Sequence, residues 1–381
     1  MPRYPAFDWP LFILGLMLSV SGAVYVYSAT WVAAEQPGVY FSPLAIKQIA
    51  FILAGVLAFY LLKRINWGLK PGSWLWFYVP VVVPLLLVLF LGHGAATRGA
   101  TRWIDLGVID FQPSELAKVG FLLALAWLYS GEAHEIERRY WQALAIMVSL
   151  VLLMLLQPDL GTSLVFLFTF FVVSALTPLR RRILWVSFAA LIVLSVPAWF
   201  VMRDYQKNRI MVFFGYQFTQ TDQGRKLQPA DPRGIAYQLK QSQIAVGSGG
   251  VTGKGFLHGT QSRGGFIPVL ESDFIFALVA EEFGLVGCLY LLLLYFLLLA
   301  RIIAIARTAK TPYEAYISYG SSAVIFFHVF VAAGITMRLM PVTGLPMPFV
   351  SYGGSAMLTM WLLLAVNESI FANSRRELRR G

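Results

Sequence analysis

Three strings place acids or bases where apolar runs begin, and a fourth, rich in proline and glycine, precedes the last run. RWIDLGVIDFQPSELAK, 102–118, ends with Glu115 and Lys118 three residues apart, just after Pro113. That spacing puts both on one helix face, and Pro113 suits the first helical position, where a missing N–H costs nothing. The pair either neutralises itself or forms the polar wall of a cavity, with the helix N-terminus offering N–H groups to an anion. Charges facing lipid are costly, which favours the cavity. QPDLGTS, 157–163, carries Asp159 at a helix start, where a cap and a functional carboxylate read equally well. ESDFIFALVAEEFG, 271–284, carries Asp273 at a water–membrane boundary and Glu281 and Glu282 about two turns deeper. On residue type alone Asp273 reads as a helix cap, and the two glutamates as hydrogen-bonded inside a bundle. PVTGLPMPFVSYGGS, 341–355, holds three prolines and too much glycine for a regular helix. It reads as a rigid re-entrant or outer connection, with Gly353 and Gly354 permitting close approach of a helix or lipid.

The elements that position these residues follow from composition. Of 381 residues, 58% are hydrophobic and 13% charged, with a mean hydropathy of +0.68. An ordinary soluble domain carries about 25% charged residues, so a water-soluble fold is excluded, as are disorder, collagen and coiled coil. The single cysteine, Cys288, excludes an internal disulfide framework and reads as a small buried hydrophobe. His93, His134, His258 and His328 show no metal-ligand spacing. Gly253 and Gly255 follow no strand, so a nucleotide site is discounted. The net charge of +11 reflects membrane orientation rather than nucleic acid.

A spanning helix needs roughly 20 apolar residues. Runs at 9–29, 45–62, 73–92, 113–130, 142–157, 159–178, 183–202, 273–299, 316–336 and 352–372 predict an all-α polytopic membrane protein of about ten spans in one domain, 1–381. The stretch 142–178 is counted as two spans because Arg138 and Arg139 precede it and Arg180, Arg181 and Arg182 follow it, and both clusters belong inside. Pro158 and Gly161 supply the break, between helices expected to be short, with the turn inside the outer leaflet lining a cavity. Both termini are then cytoplasmic, with Arg3, Lys63, Arg64, Lys70, Arg301, Arg307, Lys310, Arg375, Arg376, Arg379 and Arg380 also inside. The first run reads as a retained span rather than a removed signal peptide. A large extracytoplasmic loop, about 203–272, precedes span eight. It opens with Arg203, Lys207 and Arg209, and its segment 235–245 has helical spacing suited to the membrane interface. A loop of that length without structure of its own points to function.

Taken in order, RWIDLG…FQPSELAK, QPDLGTS, YQLKQSQIAVGSGG…GKGF…GTQS…DFIFALVAEEFG and PVTGLPMPFVSYGGS resemble the SEDS family (shape, elongation, division and sporulation) over nearly the whole chain. The likeness is greatest to its rod-shape branch, with the division branch close. The resemblance implies a peptidoglycan glycosyltransferase that polymerises lipid II at the outer face of the cytoplasmic membrane, working with a class B penicillin-binding protein and other membrane proteins of the elongation machinery. It puts the family's essential aspartate at Asp273, and its cavity residues at Arg102, Glu115, Lys118 and Asp159. Relatives carry a proline–glutamate pair before the aspartate, whereas here Pro268 is followed by Val269, with Glu271 further on. They also carry an asparagine ahead of PVTG, where this chain reads AAGITMRLM. No role is carried over to Glu271.

That chemistry fits the residues. An acceptor sugar hydroxyl needs a carboxylate to take its proton, which makes Asp273 the expected general base. Inversion at the anomeric carbon needs no second carboxylate as nucleophile. The diphosphate leaving group needs cations, which Arg102, Lys118, Lys254 or a divalent ion, Mg²⁺ or Mn²⁺, can supply. No organic cofactor is expected. The competing expectations are a lipid II flippase or transporter, whose site belongs at the midplane, and a non-catalytic scaffold for a partner synthase.

Overall fold

A short polar cap and a proline open three of the long helices of this chain. Asp8 accepts the Leu11 N–H at 3.2 Å and starts α1 (Trp9–Ala29). Ser42 accepts from Ala45 and starts α2 (Pro43–Leu62), and Thr311 does the same for Glu314 at the start of a later helix. These side chains satisfy N–H groups that have no partner within the helix. The computed structural model describes residues 7–31, 41–67, 72–92, 102–105, 107, 110–221, 224–231 and 234–377. Arg3, Lys70, His93, Arg379 and Arg380 lie outside the described residues.

After α2 come α3 (Leu75–Leu91), a short antiparallel pair β1 (Ile104–Asp105) and β2 (Asp110–Phe111), α4 (Pro113–Tyr129), α5 (Ile136–Leu156), α6 (Leu160–Ala175) and α7 (Arg181–Val201). α8 (Asp204–Phe213), a hairpin of β3 (Tyr216–Thr221) and β4 (Gly224–Pro229), α9 (Ile235–Ser248) and the one-turn α10 (Thr260–Arg263) follow. The chain ends with α11 (Ile275–Arg307), α12 (Pro312–Thr336) and α13 (Gly354–Glu377). Each of the ten expected spans is a helix: α1 to α7 and α11 to α13. Among the described residues, seven helices are long and apolar enough to cross a membrane, and α3 and α6 are shorter apolar helices. α4, which carries the Glu115–Lys118 pair, completes the set. The protein is an all-α polytopic integral membrane protein.

Three expectations are corrected. α5 starts at Ile136 and has 21 residues, so it is not short. At about 1.5 Å per residue it spans the hydrocarbon unaided. Gly161 does not break the chain either. It lies inside α6, where a Cβ would come within 2.9 Å of the Thr343 carbonyl, so its hydrogen is what lets the 341–355 segment sit against α6. The 203–272 segment is also not structureless: three helices and a hairpin organise it, and the expected helix near 235 runs to Ser248.

The packing order is α3 on α4, α4 on α5 and α12, α5 on α6, α6 on α12, α12 on α11, α11 on α1, and α2 on α13. Gly15 of α1 and Gly55 of α2 both lie against the buried indole of Trp361 in α13. Small residues at such contacts let helix backbones approach where no hydrophobic effect drives association. α12 is the most enclosed of the long helices, whereas the apolar stretch of α7 is almost wholly exposed, as a lipid-facing helix would be.

α11 is discontinuous. At Gly284 the backbone turns to φ 63°, ψ −159°, a combination open essentially only to glycine. The groups freed there pair with the segment 249–255 as an extended chain would. Lys254 N–H donates to the Glu281 carbonyl and Gly255 N–H to that of Glu282, each at 2.9 Å, and Leu285 N–H donates to Gly250 at 3.0 Å. Non-helical backbone among apolar helices is tolerated where protein satisfies it. The break therefore seats the loop on the bundle.

Candidate active site

α4, α6, α11 and the 341–355 segment meet at one end of the bundle. Pro113 sets the first turn of α4, and Lys118 then reaches back to Glu115, Nζ to Oε1 at 2.8 Å, with both side chains buried. The second Glu115 oxygen, Oε2, is buried without a hydrogen-bond partner among the described residues. An unpaired buried acceptor is what a cavity wall leaves for a ligand to fill. The Lys118 ammonium also lies 2.9 Å from His328 Nε2 of α12.

Asp159 satisfies both of its readings. It caps α6, accepting the Thr162 N–H at 3.1 Å and the Thr162 hydroxyl at 3.0 Å. It also accepts from the Ser114 hydroxyl and the Gln112 amide, each at 3.3 Å, and pairs with Arg102 Nη1 at 3.1 Å. Five donors leave it little capacity to take a proton, so its effect is to hold Arg102. Arg102 lies over the Trp103 ring, and its buried Nε has no partner among the described residues. The Ser355 hydroxyl donates to the Asp110 carbonyl and receives the Gln112 N–H at 3.0 Å, linking the start of α13 to the α4 entry.

Asp273 is a different kind of carboxylate. α11 begins two residues later, with no side-chain cap, so the helix-cap reading of Asp273 does not hold. It is partly exposed, and its one hydrogen-bond partner among the described side chains is the adjacent Ser272 hydroxyl at 3.0 Å. Its backbone, by contrast, is clamped. The Ser351 hydroxyl donates to the Ser272 carbonyl at 2.6 Å, Tyr352 N–H to the Glu271 carbonyl at 2.8 Å, and Asp273 N–H to Val269 at 3.1 Å. Val269 and Phe349 both take the left-handed conformation, at φ 54° and 64°. Two strained turns are thus locked together, a pattern found where a reactive group must be held in place.

Lys254 is placed elsewhere. Its ammonium is 2.7 Å from Glu281, which also accepts the Gln261 N–H at 2.8 Å and the Ser262 N–H at 3.0 Å. Glu282 accepts from Ser28 of α1 at 2.7 Å. Both glutamates are hydrogen-bonded inside the protein as expected, and their donors anchor the loop. At the opposite end, Asp8 pairs with Arg301 at 2.7 Å and its N–H donates to Glu368. An apolar groove of about 520 Å³ lies between α1 and α2, lined by Val24, Tyr27, Ile49, Leu53 and Phe256 among others.

The sequence of this site and the fold that carries it match a family model described as cell cycle protein, covering FtsW, RodA and SpoVE, over residues 8–376. The chain belongs to this family. Peptidoglycan glycosyltransferase MrdB of Escherichia coli (strain K12) is 36% identical over 365 residues, covering 94% of this chain and 93% of that protein. Stage V sporulation protein E of Bacillus subtilis (strain 168) is 33% identical, with 97% and 98% covered. FtsW proteins from two Geobacter species and from Halothiobacillus neapolitanus are 29–31% identical, so the likeness is greater to the rod-shape branch. Among solved structures, a chain of a peptidoglycan synthase complex that coordinates polymerisation and crosslinking superposes with a TM-score of 0.78 at 31% identity, covering 97% of this chain and 99% of that one. The rod shape determining protein RodA of Thermus thermophilus gives 0.66 at 30% identity, with 98% of each covered.

In this SEDS protein the structure brings Arg102, Glu115, Lys118 and Asp159 together through α4 and α6. It links them to Asp273 through the 341–355 segment, and it sets Lys254 apart on Glu281. Four residues of the framework escaped sequence reading: Gln112, His328, Ser351 and Ser355. A buried histidine in an apolar helix was itself a signal, since polar groups at membrane depth are functional by default. Spacing alone did not say which residues it would meet. Among the described residues, no three His, Cys, Asp or Glu side chains converge as metal ligands. A Mg²⁺-like ion bound with a diphosphate needs only one or two protein carboxylates, and Asp273 can supply one.

Proposed function

We propose that this chain is a peptidoglycan glycosyltransferase of the rod-shape type that polymerises lipid II at the extracytoplasmic face of the membrane, with Asp273 as general base. The observation that carries the assignment is the contrast among carboxylates. Asp159 and Glu281 are saturated with donors and Glu115 is tied to Lys118, while Asp273 is open, rigidly held and joined to one hydroxyl.

In the reaction, the acceptor sugar hydroxyl attacks the anomeric carbon of the donor. A new C–O bond forms as the bond to the lipid diphosphate breaks, and the diphosphate leaves with the electron pair. The hydroxyl proton passes to Asp273. Arg102 and Lys118 supply fixed positive charge for the diphosphate, and Asp159 holds Arg102 in place. A divalent cation, Mg²⁺ or Mn²⁺, would enter with the diphosphate and share its charge. Apolar grooves such as the one between α1 and α2 suit prenyl chains. The likeness to a synthase complex supports a class B penicillin-binding protein as partner, together with other elongation-machinery membrane proteins. Charge placement supports cytoplasmic termini. The candidate residues Glu115, Lys118, Asp159 and Asp273 lie at the starts of α4, α6 and α11, which disfavours a transporter, whose site belongs at the midplane.

The test uses the full-length protein purified in detergent and given lipid II with Mg²⁺ or Mn²⁺, with and without a partner synthase. Glycan strands should form, and Asp273→Ala should make none while unfolding at the wild-type temperature. Detergent has no two sides, so polymer made there cannot come from transport. An Asp273→Ala protein that polymerises at the normal rate would remove Asp273 from this role.

A further inference from the structure

We propose that His328 is a positioning residue for the polymerisation reaction, holding the Lys118 ammonium and tying it to the segment that clamps Asp273. The proposal rests on the reading of Lys118 as a cation of the substrate cavity. His328 is fully buried on α12, the most enclosed of the long helices. Its Nδ1 lies 3.0 Å from the Pro346 carbonyl and its Nε2 lies 2.9 Å from Lys118 Nζ. A carbonyl only accepts, so Nδ1 carries the proton and donates. An ammonium only donates, so Nε2 presents its lone pair. The two contacts thus fix one neutral tautomer.

The consequence for Lys118 is geometric. Its ammonium has three N–H donors; Glu115 takes one and His328 another. The remaining N–H has no protein acceptor among the described residues. Two fixed partners aim it, as a ligand-orienting shell aims a catalytic group. The other side of the imidazole reaches the 341–355 segment five residues before Ser351, which holds the Ser272 carbonyl next to Asp273. The lysine and the aspartate are therefore referenced to the same rigid segment.

The test separates these two contacts. The amide of glutamine falls near the position of Nε2 and that of asparagine near Nδ1. In the full-length protein with lipid II, His328→Gln keeps an acceptor for Lys118 and should retain kcat/KM within about threefold of wild type. His328→Asn keeps only the Pro346 bond and should lose about tenfold or more, as should His328→Phe, since a hydrogen bond to a charged group is at stake. Melting temperatures should not follow that order. The reverse order, asparagine active and glutamine not, would mean that His328 only braces the segment, and would overturn the proposal. So would a fully active His328→Phe, or equal losses in all three. Lys118→Met separates the two levels of inference. If it polymerises normally, the reading of Lys118 fails and takes this proposal with it. If it is impaired while His328→Phe is normal, only the role of His328 fails.

Discussion

Arg102 and Asp159 form a buried ion pair in which removing one partner leaves the other uncompensated. Arg102→Met should therefore destabilise the protein by about 3–5 kcal/mol, seen as a lower unfolding temperature in detergent. Adding Asp159→Asn should recover much of the loss, because asparagine still caps α6 and carries no charge. Asp273 behaves in the opposite way. Its side chain has one neighbouring hydroxyl, so Asp273→Asn should change the unfolding temperature little. The same change should lower the polymerisation rate by about 10²–10⁴-fold, the usual contribution of a general base. Both outcomes are read from thermal unfolding and product formation on the same purified samples. If Asp273→Asn instead unfolds the protein, the carboxylate is structural.

The break in α11 is the element on which the 203–272 loop is built. Gly284→Val puts a branched side chain at φ 63° and drives it into the Val251 carbonyl and the Gly253 N–H. That backbone conformation alone costs roughly 1–3 kcal/mol for a residue with a Cβ. The variant should lose the pairing of 249–255 with α11 and expose Lys254 and Arg263 to trypsin, a cleavage readable by mass spectrometry. A protease-resistant Gly284→Val protein would show that the pairing does not depend on this residue. The ten apolar runs were legible because hydropathy over about 20 residues depends only on composition. The break was not, since a glycine in an apolar run reads the same whether its helix continues or stops. The loop helix at 235 was legible from its spacing, but not that it packs mainly on α11.

For the whole molecule, orientation is the testable quantity. The proposed orientation, argued from the arginine and lysine bias, puts the β3–β4 hairpin outside and the end of α11 inside. In a Cys288→Ser background, a cysteine replacing exposed Gln228 should react with a membrane-impermeant maleimide on intact cells. One replacing exposed Thr308 should react only after permeabilisation. The opposite pattern would put Asp273 in the cytoplasm, away from the proposed lipid II substrate.

Composition and charge order were enough to determine a polytopic helical bundle with acids at the span ends, because membrane insertion acts on segments one at a time. The motifs were enough to assign the family and to single out Asp273. Which acid stays open was decided by the tertiary structure alone. Asp159, Glu281 and Asp273 are the same chemistry in the sequence, and they differ in the donors the fold brings to each: Gln112, Ser114 and Arg102 to the first, the 254–262 segment to the second, and only the neighbouring Ser272, among the described side chains, to the third.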